Sequence, residues 1–183
     1  MSPEHLILQK NSTLHRGFTL IETLFAILIF SAALISLLTI SGKGISATNE
    51  VKNETTAYYL AQEGLEVVRN IRDSQFITLT SGGSGTWTDG FLGTPDCAAP
   101  AGCYVVYSSG AIPALDAVSG QSADIYSNNG EYANTGTPTG FSRVISVQPG
   151  LTTDEYIVSS RVTWQAKTIK KEVTLQTLLK KWQ

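Results

Sequence analysis

Apolar and polar positions divide the chain into three stretches of different character. From Phe18 to Ile40 the residues are almost uniformly apolar, and Glu22 is the only charge over 23 positions. A helix of that length covers about 35 Å at about 1.5 Å per residue, enough to cross a bilayer core. From Ile45 to about Asp73 the apolar residues Ala57, Leu60, Ala61, Gly64, Val67, Val68 and Ile71 recur at steps of three and four. That spacing makes one stripe on a helix. Asn49, Glu50, Lys52, Asn53, Glu54, Gln62, Glu63, Glu66, Arg69 and Arg72 supply its polar side, with Glu66–Asn70 and Arg69–Asp73 one turn apart as surface pairs. One long helix from Phe18 to about Asp73 is expected, its second half lying on a sheet. Ala61 and Gly64 permit a close approach there. Ser41-Gly42-Lys43-Gly44 predicts a flexible or kinked joint, because each glycine costs about 1 kcal/mol relative to alanine in a helix.

After Asp73 the period changes. Ser81-Gly82-Gly83-Ser84-Gly85 reads as a loop, with Trp87 and Phe91 covering the sheet or the helix. Cys103–Ser108 is a short β-rich run. Asp124–Ser127 and Glu131–Ala133 flank Asn128-Asn129-Gly130, a hairpin turn, since Asn and Gly accept positive φ. Three alternating runs follow: around Phe141, Arg143, Ile145 and Val147; around Tyr156, Val158, Ser160, Val162 and Trp164; and around Ile169, Lys171, Val173, Leu175, Thr177 and Leu179. With short turns they predict an antiparallel meander. The last turn, Gln165-Ala166-Lys167-Thr168, has no glycine, so its register stays open.

Charge and chemistry narrow the reading. Residues 74–160 hold seven acids against Arg143 alone, and residues 161–183 hold six basic side chains against Glu172. Opposed charged regions can steer subunits together; a solvated strand face explains the basic end equally well. The formal net charge of −2 gives no reason to expect nucleic acid as the main partner. Both histidines, His5 and His15, precede Gly17. Downstream of it there is no histidine for a catalytic triad or a zinc site. Ser84 lies outside a G-x-S-x-G pattern and has no base to activate it. Asp124, Asn128, Asn129 and Glu131 lack the full calcium-loop series and are explained by the turn. No metal and no cofactor is expected. Cys97 and Cys103 enclose Ala-Ala-Pro-Ala-Gly, a spacing that suits a small disulfide loop worth about 2–3 kcal/mol in an oxidising compartment. The alternative is two free thiols.

Gly17-Phe18-Thr19-Leu20-Ile21-Glu22 at the head of an apolar helix resembles the N-terminal signature of type IV pilin-like proteins, both pilins and type II secretion pseudopilins. The resemblance implies cleavage between Gly17 and Phe18 by a prepilin peptidase, N-methylation of Phe18 by the same enzyme, and a requirement for Glu22 in filament assembly. It implies as partners that peptidase and methylase, other pilin-like subunits in a helical filament, an inner-membrane assembly platform, and the bilayer before assembly. Residues 1–17 would be a cytoplasmic leader, longer than the shortest in the family. Removing them leaves 11 basic and 14 acidic side chains, net −3. Ala57–Arg69 resembles the second helical half of minor-pilin relatives. Thr139–Arg143, Val162–Trp164 and Leu178–Trp182 resemble the sheet of minor pilins and minor pseudopilins.

The expected fold is α+β: a long N-terminal helix whose second half packs on a C-terminal antiparallel sheet. The expected organisation is leader 1–17, membrane and assembly half 18–40, amphipathic half 41–73, and extracytoplasmic β domain 74–183. Lys10, His15 and Arg16 before the span hold the N-terminus in the cytoplasm. A secretory signal peptide would be cut after its core, near Ser31-Ala32-Ala33, but that core would contain Glu22 and the chain stays apolar to Ile40. A plain single-pass anchor explains the length but not the acid. The expected role is structural, a filament subunit, with a minor pilin favoured over a minor pseudopilin of a secretion or competence system. A membrane-anchored adhesion module using Tyr104, Tyr107, Tyr126 and Tyr132 is the reading from another class; an anchored enzyme has no motif behind it.

Overall fold

The computed structural model describes residues 17–93, 95–98, 100–108, 113–118 and 123–181. Leader residues 1–16, with the basic Lys10, His15 and Arg16, lie outside them. Two compact units are present, one reaching to Ala47 and one starting at Thr48. A single helix, α1 (Leu20–Thr80), runs through the first and opens the second. It continues through Gly42 and Gly44, where a joint and not a stop was expected. A methyl group added at either glycine would meet nothing, so the cost of these residues is their propensity alone and the surrounding helix formers carry the turn across.

The helix also continues past Asp73. Ile77, Thr78 and Thr80 are β-branched, yet the hydroxyls of Ser74, Thr78 and Thr80 donate to carbonyls one turn back. What stops the helix is Gly82, at φ 84°. Gly83 N–H donates to Thr78 O at 2.9 Å and Gly82 N–H to Leu79 O at 3.2 Å. This is a Schellman end, with glycine in the left-handed position where a side chain would be strained.

Among the described residues, seven strands form one sheet. β1 (Cys103–Val106) and β2 (Ala114–Ala117) form one antiparallel pair, and β3 (Asp124–Asn128) and β4 (Glu131–Ala133) another. β5 (Thr137–Pro149), β6 (Glu155–Ala166) and β7 (Ile169–Lys180) form the expected antiparallel meander. β1 meets β5 at Cys103↔Ile145, while β3 meets it at Asp124↔Ser142 and Tyr126↔Pro138. Both small hairpins therefore line the side of β5 away from β6, one after the other along its length. β2 went unforeseen because Ala-Leu-Asp-Ala offers one inward side chain, Leu115, and no alternation to read. The β3–β4 turn uses Asn129 at φ 52° and Gly130 at φ 87°, as its sequence demands. The β6–β7 turn pairs Ala166 with Ile169 and puts Lys167 at φ 57°, doing with lysine what glycine usually does.

Ala57, Leu60, Ala61, Gly64, Leu65, Val67 and Val68 of α1 are buried against the sheet. Leu60 and Ala61 join Val162, Trp164 and Val173; Leu65, Val67 and Val68 join Phe91, Val105, Ile145, Val147, Val158 and Leu179. Full burial of such a side chain contributes about 1.5–3 kcal/mol, and this apolar contact holds helix to sheet. Gly64 sets the spacing: a Cβ there would lie 2.5 Å from Ser160 Oγ and 3.0 Å from Arg143 Cδ. Trp87 and Phe91 close the core beyond the helix, with Trp87 5.6 Å from the Tyr156 ring. The molecule is thus α+β with pilin-like architecture, a long N-terminal apolar helix packed on a C-terminal antiparallel sheet.

Candidate functional site

Backbone amides at a helix start have no partner within the helix and need one from outside. At α1 that partner is Thr19. Its Oγ1 accepts from Glu22 N–H at 3.3 Å, and its carbonyl oxygen accepts the first helical bond, from Thr23 N–H at 3.2 Å. Thr19 is therefore the N-cap and Glu22 occupies the third helical position, the spacing of a capping box. This role was legible as Thr-x-x-Glu but is not what the acid first suggests. A carboxylate in the first turn also faces the positive end of the helix dipole.

Gly17 and Phe18 lie ahead of the helix, in non-helical backbone. Phe18 is 82% exposed and a methyl group on Gly17 would touch nothing. The Gly17–Phe18 bond is thus accessible, and packing in the chain itself does not demand glycine there. Glu22 is the only charged residue from Phe18 to Gly42. Around it Leu20, Ile21, Leu24, Phe25, Leu28 and Ile29 are all exposed. The apolar part of the helix is not buried at all within the chain. Among the described residues it is the one helix long and apolar enough to cross a membrane.

The polar side chains of this span are self-contained. Thr23 Oγ1 donates to Leu20 O at 2.8 Å, Ser31 Oγ to Ile27 O at 2.7 Å, Ser36 Oγ to Ala32 O at 2.9 Å and Thr39 Oγ1 to Ile35 O at 2.9 Å. Each hydroxyl hydrogen is used within its own helix, which removes the cost of leaving it unpaired in hydrocarbon. Glu22 remains as the one side chain with a strong unmet preference for a polar or cationic neighbour.

In the second unit Cys97 and Cys103 form a disulfide, with their Cα atoms 5.0 Å apart and both residues fully buried. Cys97 O accepts from Val147 N–H at 2.9 Å, so the loop is stitched to β5. The surface pairs differ from those expected: Arg69 joins Glu66, and Arg72, 9% exposed, bonds Asp73 through Nε at 2.8 Å. Tyr107 is half-buried. Its hydroxyl accepts from Arg143 at 2.6 Å, and burial, with Glu63 nearby and Arg143 opposing, pushes its pKa up to about 12. Tyr132 is 41% exposed, and both tyrosines line an open polar cup of about 660 Å³ with Asn128, Asn129, Glu131 and Asn134. Asp124 sits on β3 and is not part of that cup. No group of three or more His, Cys, Asp or Glu side chains gathers as a metal site among the described residues.

Comparison with known families matches residues 13–38 to the prokaryotic N-terminal methylation motif. Comparison with curated proteins and with solved structures gives no match. The matched segment spans Gly17, Phe18, the Thr19 cap and Glu22, and runs into the apolar helix, where Thr23, Ser31 and Ser36 bond the helix's own carbonyls. The chain thus carries at its head the prepilin signal of type IV pilin-like proteins.

Proposed function

We propose that this protein is a structural subunit of a type IV pilus-like filament. The chain is cut between Gly17 and Phe18, methylated on the new Phe18 terminus, and packed into the filament through α1, with Glu22 as the assembly acid. The single observation that carries this reading is Glu22 as the only charge from Phe18 to Gly42, on a helix exposed on every side. An ionised carboxylate among apolar helices costs several kcal/mol unless it meets a cation. Cleavage creates one four residues away, the Phe18 ammonium. Pairing Glu22 of one subunit with the terminal amine of its neighbour neutralises both and sets the axial register. The prepilin signal implies processing by a prepilin peptidase and assembly with other pilins.

The anchor reading places the second unit outside the cytoplasm, and the buried Cys97–Cys103 disulfide supports an oxidising surrounding. The proposed organisation follows the sequence except at one boundary: the amphipathic half of α1 reaches Thr80. Intact-mass analysis of the membrane-extracted protein tests the processing step. A terminus at N-methyl-Phe18 is expected, and one at Leu34 or at Met1 would sink it. In cells, Glu22→Val is expected to yield processed protein that stays in the membrane; its recovery in sheared filaments at the normal level would remove Glu22 from assembly.

A further inference from the structure

The two ends of the sheet carry opposite charge. On one side β7 holds Lys170, Lys171 and Lys180 against the exposed Glu172, with Lys167 in the turn before it and Lys181 just after, a net positive edge. Lys171 meets Glu50 and Lys180 meets Glu155, but Lys167, Lys170 and Lys181 have no carboxylate partner among the described residues. On the other side stand Asp116 on β2 and Glu131 on β4, both exposed. Asp116 accepts only neutral donors, the Tyr104 hydroxyl at 3.2 Å and its neighbour's Ala117 N–H at 2.8 Å. Four strand steps of about 4.8 Å put β2 roughly 19 Å from β7, about twice the screening length at physiological salt. The two charges therefore do little for each other within one copy.

β7 is also an open strand. It pairs only with β6 among the described residues, in unbroken register from Glu155↔Lys180 to Ala166↔Ile169. It contains no proline and no bulge, and Val173–Leu179 carries no charge. Edge strands this long and regular expose a row of unpaired N–H and C=O groups, ready to accept another strand. Lysine against lysine repels, so β7 is a poor partner for β7 of another copy. Four antiparallel steps separate β7 from β2, and four separate it from β4. Both acidic edge strands therefore run parallel to β7.

We propose that the open basic edge of β7 docks on the acidic β2–β4 edge of a second copy of this chain, head to tail and in the same orientation. This rests on the filament reading, because copies anchored by the same helix in one membrane share a direction. A parallel pairing between β7 and β2 is what equal orientation supplies. Head-to-tail contact uses two different surfaces, so each pair leaves one basic and one acidic edge free, and growth stays open-ended.

The test uses membrane vesicles from cells that express the full-length chain together with a prepilin peptidase. The two native cysteines are bonded to each other, so introduced ones report alone. Thr174→Cys and Ala114→Cys in one chain, treated with a short bis-maleimide, should give a ladder of multimers, and neither single variant should give one. Lys170→Glu with Lys181→Glu should weaken the ladder at least tenfold, and adding Asp116→Lys with Glu131→Lys should restore it. No ladder from a chain with an unchanged denaturation midpoint and a processed Phe18 terminus overturns the proposal; so does a dimer from Thr174→Cys alone, or failure of the charge swap to restore. A ladder from chain still joined at Gly17–Phe18 would support the edge contact and count against the filament reading. Bands beyond the dimer would set copies side by side, as a repeating subunit has them and an isolated minor one does not.

Discussion

Arg143 donates from its guanidinium to the carbonyl oxygen of Leu60 at 2.8 Å, so β5 grips the backbone of a helix 83 residues earlier. The same nitrogen reaches Glu63 at 3.1 Å, and the other terminal nitrogen reaches the Tyr107 hydroxyl at 2.6 Å. Arg143 is 2% exposed and is the only basic residue between Asp73 and Arg161. Buried charge survives only when it is paired and hydrogen-bonded. The fork geometry of arginine lets one side chain bind helix backbone, helix side chain and strand aromatic together. Gly64 makes room for it, since a side chain there would meet Arg143 Cδ and Ser160 Oγ.

Arg143→Ala should destabilise the fold by about 3 kcal/mol, through a cavity and the lost hydrogen bonds to Leu60, Glu63 and Tyr107. Arg143→Lys should recover only part of that, because an ammonium has no fork to span Leu60 O and Tyr107 together. Urea denaturation of the detergent-solubilised protein measures both. Equal stability of the lysine variant and the parent would mean that charge, not the fork, holds the contact.

Tyr107 adds a pH dependence at the alkaline end. Its ordinary value is 10.0, and in the folded protein it lies at about 12, chiefly because burial disfavours the phenolate. Between those values the unfolded chain has lost the proton and the folded chain keeps it. The contribution is therefore fully present below pH 10 and is lost as pH rises toward 12. Denaturation midpoints taken from pH 9 to 12 should fall more steeply for the parent than for Tyr107→Phe. Parallel curves would place the titrating group elsewhere.

The parts of the fold that sequence made legible share one property: their period is fixed by burial. The stripe on α1 and the meander of β5 to β7 each hide one face, so their apolar spacing is constrained. Arg143 fell in the inward phase of β5 by alternation alone, and the core does hold it. The misses come where burial does not impose a period. Ser74–Thr80 is helical because of the glycine end at Gly82, although its β-branched composition points the other way. β2 is too short to alternate. Tyr107 follows the inward phase of Cys103 and Val105, but a tyrosine just past a four-residue strand gave too little alternation to be read that way. At the helix head, residue identities marked Gly17, Phe18 and Glu22, while the cap at Thr19 needed the three-residue spacing to be read as geometry.

The β6–β7 turn offers a gain in stability. Lys167 sits at φ 57°, where a lysine Cβ crowds the backbone at a cost on the order of 1 kcal/mol. Asparagine tolerates that region better. Lys167→Asn should raise the thermal midpoint by about 2–4 °C for a chain of this size. An unchanged or lower midpoint in a thermal scan would show that the turn relaxes to accept lysine without strain.

Glu22 has two possible contributions, and a single substitution separates them. At the third helical position it has capping-box spacing from Thr19, whose hydroxyl accepts its backbone N–H, and glutamine suits that position equally well. As an assembly acid it supplies a negative charge to a neighbour's terminal ammonium, and glutamine lacks that charge. Glu22→Gln should therefore keep the helix start and the Gly17–Phe18 cleavage of the parent, yet enter sheared filaments as poorly as Glu22→Val. Thr19→Ala gives the complementary result: it loses the cap, worth about 1 kcal/mol, but leaves the carboxylate in place and should still assemble. Quantifying each variant in membrane and filament fractions decides the matter. Normal incorporation of Glu22→Gln, with failure of Thr19→Ala, would make the helix cap and not the charge the reason for an acid at this position.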